Sequence, residues 1–306
     1  MKTGFVALVG RPNAGKSTLL NALLNQKVAI ISDKPQTTRN QIRGIRTDED
    51  SQIIFVDTPG IHKPHHKLGS QMNKAAYSAV SGVDIIYYLV DASVPFGSGD
   101  EFLVQYIENS KLPVFLIVNK IDLLNKEQLM DLLIAWSKRI KVKEIIPLSA
   151  KEGNNLEELL NVTKNYLEEG ICYYPEDQVC DYPEQFIVGE VIREKVLNFT
   201  EEEVPHSVAV VVERMGRKKG KLLINALILV ERDSQKGIII GKQGSMIKKI
   251  GEAARKDLQG ILGEDSLYLE LFVRVEKDWR NKENKLLQFG YIQIDEEEED
   301  SPWDAM

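Results

Sequence analysis

The stretch Gly10-Arg11-Pro12-Asn13-Ala14-Gly15-Lys16-Ser17 constrains this chain more than any other. It fits the pattern G-x-x-x-x-G-K-[ST]. It follows an apolar run, Phe5–Gly10, and opens a helical pattern, Lys16–Leu24. Glycines let the backbone curl so that its N–H groups face one point, and the helix N-terminus adds a dipole favourable to negative charge. The ligand suited to that point is a phosphate. In this frame Lys16 reaches the β- and γ-phosphates of a nucleotide, and the Ser17 hydroxyl is placed to ligate Mg²⁺.

The first half of the chain alternates apolar runs with helical patterns. Strands are expected at Phe5–Gly10, Gln41–Arg46, Gln52–Val56, Val83–Asp91, Val114–Asn119 and Glu144–Leu148, and helices at Lys16–Leu24, Asp100–Ser110 and Lys126–Arg139. This alternation predicts an α/β fold with a mostly parallel six-stranded sheet covered on both faces. The short polar connection Thr47-Asp48-Glu49-Asp50 makes its two flanking strands antiparallel. Residues 174–183, with two prolines and no periodicity, read as a linker between a first domain over 1–173 and a second over 184–292.

The phosphate loop alone does not choose a base. Asn119-Lys120-Ile121-Asp122, at the end of an apolar strand about 100 residues further on, does so. Guanine offers N1–H and N2–H₂ together, and the single carboxylate of Asp122 accepts from both; adenine leaves it unpaired. Asn119 and Lys120 brace this loop, and Ser149-Ala150-Lys151 brings backbone to the guanine oxygen. The implied ligands are GTP and GDP.

Asp57-Thr58-Pro59-Gly60 ends the strand Gln52–Val56. Asp57 is placed to hold Mg²⁺ through a water, and the Gly60 N–H to sense the γ-phosphate. Of Thr37 and Thr38, Thr38 is the preferred Mg²⁺ ligand and Thr37 the alternative. The loop positions Lys16, Thr38, Asp57 and Gly60 carry the chemistry. Ile61 stands where many GTPases have a glutamine that orients water, so intrinsic hydrolysis is expected to be slow. Asn13 is either a K⁺ ligand near the phosphates or a loop brace. His62, His65 and His66 read as an exposed polar loop rather than a metal site.

Beyond the linker, Gln185–Phe199 reads as a helix, Ser207–Val212 and Leu222–Val230 as strands, Gly237–Ile240 as a short apolar segment, Met246–Leu262 as a long helix and Tyr268–Val275 as a last strand. Gly241-Lys242-Gln243-Gly244 is a G-x-x-G loop before that long helix. The order helix-strand-strand-helix-helix-strand agrees with an α+β type II KH domain, whose glycine loop clamps a single-stranded RNA backbone. Lys248, Lys249, Arg255 and Lys256 extend a basic side. Arg217–Lys221 is a phosphate contact or a soluble hairpin tip.

The formal net charge of −7 does not oppose RNA binding. Residues 295–306 contain seven acidic and no basic residues, so they account for all of it. Residues 293–306 read as an acidic, disordered tail. The two cysteines, Cys172 and Cys180, fit no metal or redox spacing and are expected to be reduced. No apolar run approaches a membrane span, and no secretion leader is recognised, so a cytoplasmic protein is expected.

These segments together resemble the bacterial Era GTPases over about residues 3–292. The resemblance rests on Gly10–Ser17, Gln36–Arg39, Asp57-Thr58-Pro59-Gly60-Ile61-His62-Lys63-Pro64, Asn119–Asp122, Ser149–Lys151 and Gly241–Gly244. It implies a Mg²⁺-dependent GTPase that binds 16S rRNA near its 3′ end and acts in 16S rRNA processing and 30S ribosomal subunit biogenesis. It also implies a monomer with some association to the inner face of the cell membrane. The alternatives are a passive RNA-binding module whose nucleotide domain is only structural, and a GTPase involved in RNA modification. The acidic tail departs from the family pattern.

Overall fold

The computed structural model of the chain describes residues 1–60 and 66–292. The first domain contains β1 (Lys2–Gly10), α1 (Lys16–Leu24), β2 (Ile42–Thr47), β3 (Ser51–Asp57), α2 (Lys67–Ser78), β4 (Ile85–Asp91), α3 (Ser98–Glu108), β5 (Val114–Asn119), α4 (Lys126–Ser137), β6 (Glu144–Pro147), α5 (Leu156–Tyr166) and β7 (Glu168–Glu169). The strand order is β2-β3-β1-β4-β5-β6, with β2 alone antiparallel along that path. The six expected strands gain a two-residue seventh, because Glu168 and Glu169 pair antiparallel with Thr3 and Lys2. Two exposed acids carry no apolar period by which to find such a strand.

Strands β1, β3, β4 and β5 are buried on both faces, hence their continuous apolar runs. Alternate residues of β1 serve opposite cores. Val6 and Leu8 join Phe55, Tyr87 and Phe115 under α1 and α5. Ala7 and Val9 join Ile86, Tyr88 and Leu116 under α3 and α4. Registers Leu8↔Asp57, Asp91↔Asn119 and Val118↔Pro147 bring the carboxyl ends of the strands to one edge. The chain order reverses at β1, which has β3 on one side and β4 on the other. The crevice at such a reversal is where open α/β sheets bind ligands.

Some boundaries shift for local reasons. Helix α3 begins at Ser98, two residues before the expected start, because the Asp100 carboxylate accepts from the Gly97 N–H at 3.0 Å. Strand β4 begins at Ile85 rather than Val83, and α4 ends at Ser137 rather than Arg139.

Residues 174–183 lie along the outer edge of β2. Ile45 N–H donates to the Val179 carbonyl at 2.8 Å, and Gly44 forms a bridge with Cys180. The linker thus covers a sheet edge that is otherwise open. Both cysteines are free thiols.

The second domain contains α6 (Glu184–Phe199), α7 (Val204–Ser207), β8 (Ala209–Lys218), β9 (Lys221–Val230), α8 (Asp233–Ile240), α9 (Ser245–Leu262), β10 (Leu267–Val275) and α10 (Glu283–Gln288). Its sheet runs β10-β9-β8. Strands β8 and β9 extend through most of the basic stretch 217–221, leaving Lys219-Gly220 as a two-residue turn with φ of 50° and 75°. The apolar segment Gly237–Ile240 is the end of α8, which starts earlier at Asp233. Val188, Val191, Ile192 and Val196 of α6 pack with Ile224, Ala226 and Ile228 of β9 and with Ile250, Ala254 and Leu258 of α9. The i, i+4, i+8 spacing of the last three marks the buried stripe of an amphipathic helix.

Strand β10 ends at Val275 and is the last strand among the described residues, as expected, but regular structure continues beyond it. A 3₁₀ turn at Trp279–Asn281 and α10 fold back onto the other face of the sheet. Trp279 and Leu286 pack there with Leu227 and Leu229 of β9 and with Leu68 and Met72 of α2. The two domains therefore share an apolar cluster, and α2 of the first domain is packed against the second.

Candidate nucleotide site and RNA-binding loop

The loop between β1 and α1 is held from several sides. Gly15 has φ of +96°, and a Cβ there would lie 2.2 Å from Asn119 Nδ2, so glycine is required for both backbone and space. Arg11 pairs with Asp100 at 2.9 Å. Gly60 lies against Pro12, where an added Cβ would approach Pro12 to 2.9 Å. Asn13 has φ of +64° and donates through Nδ2 to the Asp33 carbonyl at 2.9 Å, so it ties this loop to the segment leading to Thr38.

Lys16 is buried, and Nζ donates to the carbonyls of Gly10 and Arg11 at 3.0 Å each. Burial lowers its pKa to about 8, against an opposing attraction from Asp57. The ammonium is coiled within the loop that a phosphate would line.

Ser17, Thr38 and Asp57 converge. Ser17 Oγ donates to Asp57 Oδ2 at 2.7 Å and lies 2.8 Å from Thr38 Oγ1. Thr38 Oγ1 is 3.4 Å from the same carboxylate oxygen. Thr37 instead donates its hydroxyl to the Lys34 carbonyl at 2.6 Å, within a local turn. Burial raises the Asp57 pKa, opposed by Lys16 and by hydrogen bonds from Ser17 and Thr38. Asp57 Oδ1 is buried with no hydrogen-bond partner among the described residues. Two hydroxyls and a half-satisfied buried carboxylate form an all-oxygen donor set, which fits Mg²⁺. Thr58 anchors the same strand end by donating to the Leu8 carbonyl at 2.7 Å, with Pro59 buried behind it.

The base-side residues also meet. Asn119 Nδ2 donates to the Ala14 carbonyl at 2.9 Å, while its Oδ1 accepts from the N–H of Lys120 and of Ala150 at 2.8 and 3.0 Å. One amide thereby joins the phosphate loop to both guanine-side loops. Lys120 has φ of +66°, and Nζ pairs with Asp91 at 2.6 Å. Ser149 Oγ donates to Asp122 at 2.5 Å, which orients the exposed carboxylate. Ile121 opens the 3₁₀ turn that carries Asp122, and Lys151 is exposed beside Glu152. Ile61, His62 and His65 lie outside the described residues, and His66 precedes α2.

In the second domain Gly241, Gln243 and Gly244 all have positive φ, at 71°, 51° and 78°. A Cβ on Gly241 would lie 2.7 Å from that of Met246. Lys242 and Gln243 are exposed at the tip, immediately before α9. Lys248 and Lys249 are exposed on the first turn of α9, Lys248 near Glu252 and Lys249 with its ammonium 4.2 Å from the Phe199 ring centroid.

Asp91, Asp100 and Arg193 carry parts of this architecture without a motif of their own, and Arg39 closes the Gln36–Arg39 segment with a role that the segment does not state. Asp91 was open to inference, as an acid ending an apolar strand in register with Asn119. Arg39 and Arg193 act on backbone carbonyls far along the chain, which leaves no pattern in sequence.

A phosphate loop with a guanine-selecting loop beside it, followed by a glycine-loop RNA fold, defines a P-loop GTPase carrying a KH domain. Residues 5–120 match the 50S ribosome-binding GTPase family, and residues 203–280 match the KH domain family. A solved Era variant of Aquifex aeolicus bound to GDP·AlF₄⁻ is 40% identical, with a TM-score of 0.92, over 96% of this chain and 100% of its own. A structure of Era with MgGDPNP and nucleotides 1506–1542 of 16S ribosomal RNA matches with the same identity, coverage and TM-score. The chain belongs to the Era family of GTPases.

Proposed function

We propose that this protein hydrolyses GTP to GDP and phosphate and binds small-subunit ribosomal RNA near its 3′ end, acting in 16S rRNA processing and assembly of the 30S subunit. The carrying observation is the convergence of Ser17, Thr38 and Asp57 beside a base loop whose Asp122 is oriented by Ser149. Bound Mg²⁺ supplies charge neutralisation at the β- and γ-phosphates. Lys16 meets the same phosphates, the loop N–H groups orient them, and Gly60 is placed to sense the γ-phosphate. The second domain supplies RNA contact through Lys242 and the exposed side of α9. The RNA assignment is supported by the Era structure solved with that RNA segment.

The protein acts as a monomer in the cytoplasm with peripheral association to the cell membrane; among the described residues no helix is long and apolar enough to cross one. Hydrolysis is slow in the absence of a partner, because Ile61 cannot orient water. Asn13 contributes to a K⁺ site through its remaining amide oxygen while its nitrogen braces the loop. Equal GTPase rates in K⁺ and Na⁺ would remove that assignment. The main experiment is filter binding of the full chain to a 16S rRNA 3′-terminal fragment with GDP and with a non-hydrolysable GTP analogue. Tighter binding with the analogue is expected; identical binding in both states would favour a passive RNA module.

A further inference from the structure

The residues around Thr38 are held by the second domain, while Thr38 itself is held by the first. Arg39, 3% exposed, donates through Nη1 to the Val208 carbonyl at 2.6 Å and through Nη2 to the carbonyls of Pro205 and His206 at 3.3 Å each. Its guanidinium lies 5.8 Å from the Trp279 ring centroid and 5.6 Å from that of Tyr291, and Nη1 also donates to the Tyr291 hydroxyl at 3.3 Å. On the other side of Thr38, the fully buried Arg193 of α6 pairs with Glu190 and donates to the Thr37 carbonyl. Asn40 donates to the Gly290 carbonyl at 2.7 Å. Residues 37, 39 and 40 are therefore each bonded across the domain boundary.

The arrangement is poised. Among the described residues, the hydrogen-bond partners of the buried Arg39 cation are carbonyls and a phenol, with no carboxylate among them, and its Nε has no partner. A cation held this way keeps much of its desolvation cost, so release to water is not prohibitive. A segment with two states close in free energy is what a ligand can shift.

We propose that Arg39 and Arg193 are positioning residues through which the second domain, acting in cis, sets Thr38 for Mg²⁺ and the γ-phosphate. Arg39 grips the residue after Thr38, Arg193 grips the carbonyl before it, and Tyr291 closes the cage. By linkage, whatever displaces residues 205–208 or the 289–292 segment weakens the GTP state and spares the GDP state, which does not engage Thr38. The inference rests on the assignment of Thr38 to Mg²⁺.

The test uses the full chain with Thr38→Ala, Arg39→Lys and Tyr291→Leu. It reads the Mg²⁺ concentration for half-maximal single-turnover GTP hydrolysis, and separately the affinity for GDP. Thr38→Ala is expected to raise the Mg²⁺ requirement. Arg39→Lys and Tyr291→Leu are expected to raise it in the same direction by about fivefold or more, with GDP affinity within about twofold of the parent. An unchanged Mg²⁺ requirement in Thr38→Ala would overturn the assignment of Thr38 itself. A shift in Thr38→Ala with none in the folded Tyr291→Leu protein would overturn the positioning role alone. A loss of GDP affinity as large as the rise in Mg²⁺ requirement would also overturn it, since that indicates general loosening. Tyr291 lies near the end of the described chain, so its variant carries the test if Arg39→Lys does not fold.

Discussion

Ser17 Oγ donates to Asp57 Oδ2 at 2.7 Å, joining the first turn of α1 to the end of β3. Both oxygens belong to the donor set that would hold Mg²⁺, Ser17 directly and Asp57 through a water. It follows that Ser17→Ala, which removes a donor oxygen and leaves the buried Asp57 short of a partner, should lower the GTP hydrolysis rate by about 100-fold or more. Chelation of Mg²⁺ should do the same to the parent protein. Single-turnover assays with labelled GTP check both, and a Ser17→Ala rate within about threefold of the parent would refute the metal assignment.

Base choice depends on the acceptor character of Asp122, which Ser149 Oγ orients at 2.5 Å. In Asp122→Asn one acceptor becomes a donor facing the guanine N1–H and N2–H₂ groups. The affinity for GDP should fall by about 100-fold or more, and affinity for the xanthine nucleotide, which has an oxygen in place of N2, should rise relative to it. Competition binding of XDP against GDP measures the ratio. A parent-like preference for GDP in the variant would show that the backbone near Ala150 selects the base instead.

These two predictions use residues that were legible in the sequence because their chemistry is local. Eight consecutive residues make the phosphate loop, and four make the base loop; strand and helix periods flank both. The physical reason is that backbone N–H groups converge over a short stretch. Arg39 illustrates the opposite case. Most of its partners are main-chain carbonyls, of residues 205, 206 and 208, and a carbonyl has no residue identity to read; Tyr291 is the one side-chain partner, 252 residues away. Trp279 and α10 were missed for a related cause. A six-residue helix has too few turns to show a period, and its value lies in covering Leu227 and Leu229 on the second face of β9. The sequence favours Thr38 over Thr37, and the structure agrees in placing the Thr38 hydroxyl beside Ser17 Oγ while the Thr37 hydroxyl turns to the Lys34 carbonyl.

The pH dependence of nucleotide binding follows from Lys16. In the free site burial lowers its pKa to about 8. Contact with phosphate favours the ammonium and raises that pKa, so binding takes up a proton wherever the free site has lost one. The affinity contributed by this charge is fully present below about pH 8 and declines as pH rises through and above that value. Calorimetric titration of GDP in buffers of different ionisation enthalpy should show proton uptake increasing between about pH 7 and 8.5. Constant uptake over that range would exclude Lys16 as the titrating group.

The interdomain cluster predicts that the domains unfold together. Trp279 is fully buried, packs with Leu68 and Met72 of α2, and donates its indole N–H to the Ser207 carbonyl at 2.8 Å. Trp279→Ala should cost about 3–5 kcal/mol, combining lost apolar burial, a cavity and an unpaired carbonyl. Because the loss falls on the contact between domains, denaturant unfolding followed by circular dichroism should change from one transition to two. A single transition merely shifted to lower denaturant would place the stabilisation within the second domain alone.

RNA binding should divide between charge and loop shape. Lys242 stands exposed at the tip between Gly241 and Gly244, and Lys248 is exposed on the following helix turn. If each neutralises one phosphate of a single strand, Lys242→Ala and Lys248→Ala should each reduce the slope of log affinity against log salt by about 0.7. Gly241→Ala acts differently. Its added methyl would lie 2.7 Å from Met246 Cβ at a backbone φ of 71°, so the loop itself must deform. That variant should lose affinity with the salt slope nearly intact, since no charge is removed. Binding isotherms across a salt series distinguish the two. A lysine variant with unchanged slope would move the RNA backbone away from this loop, towards the rest of the basic side of α9.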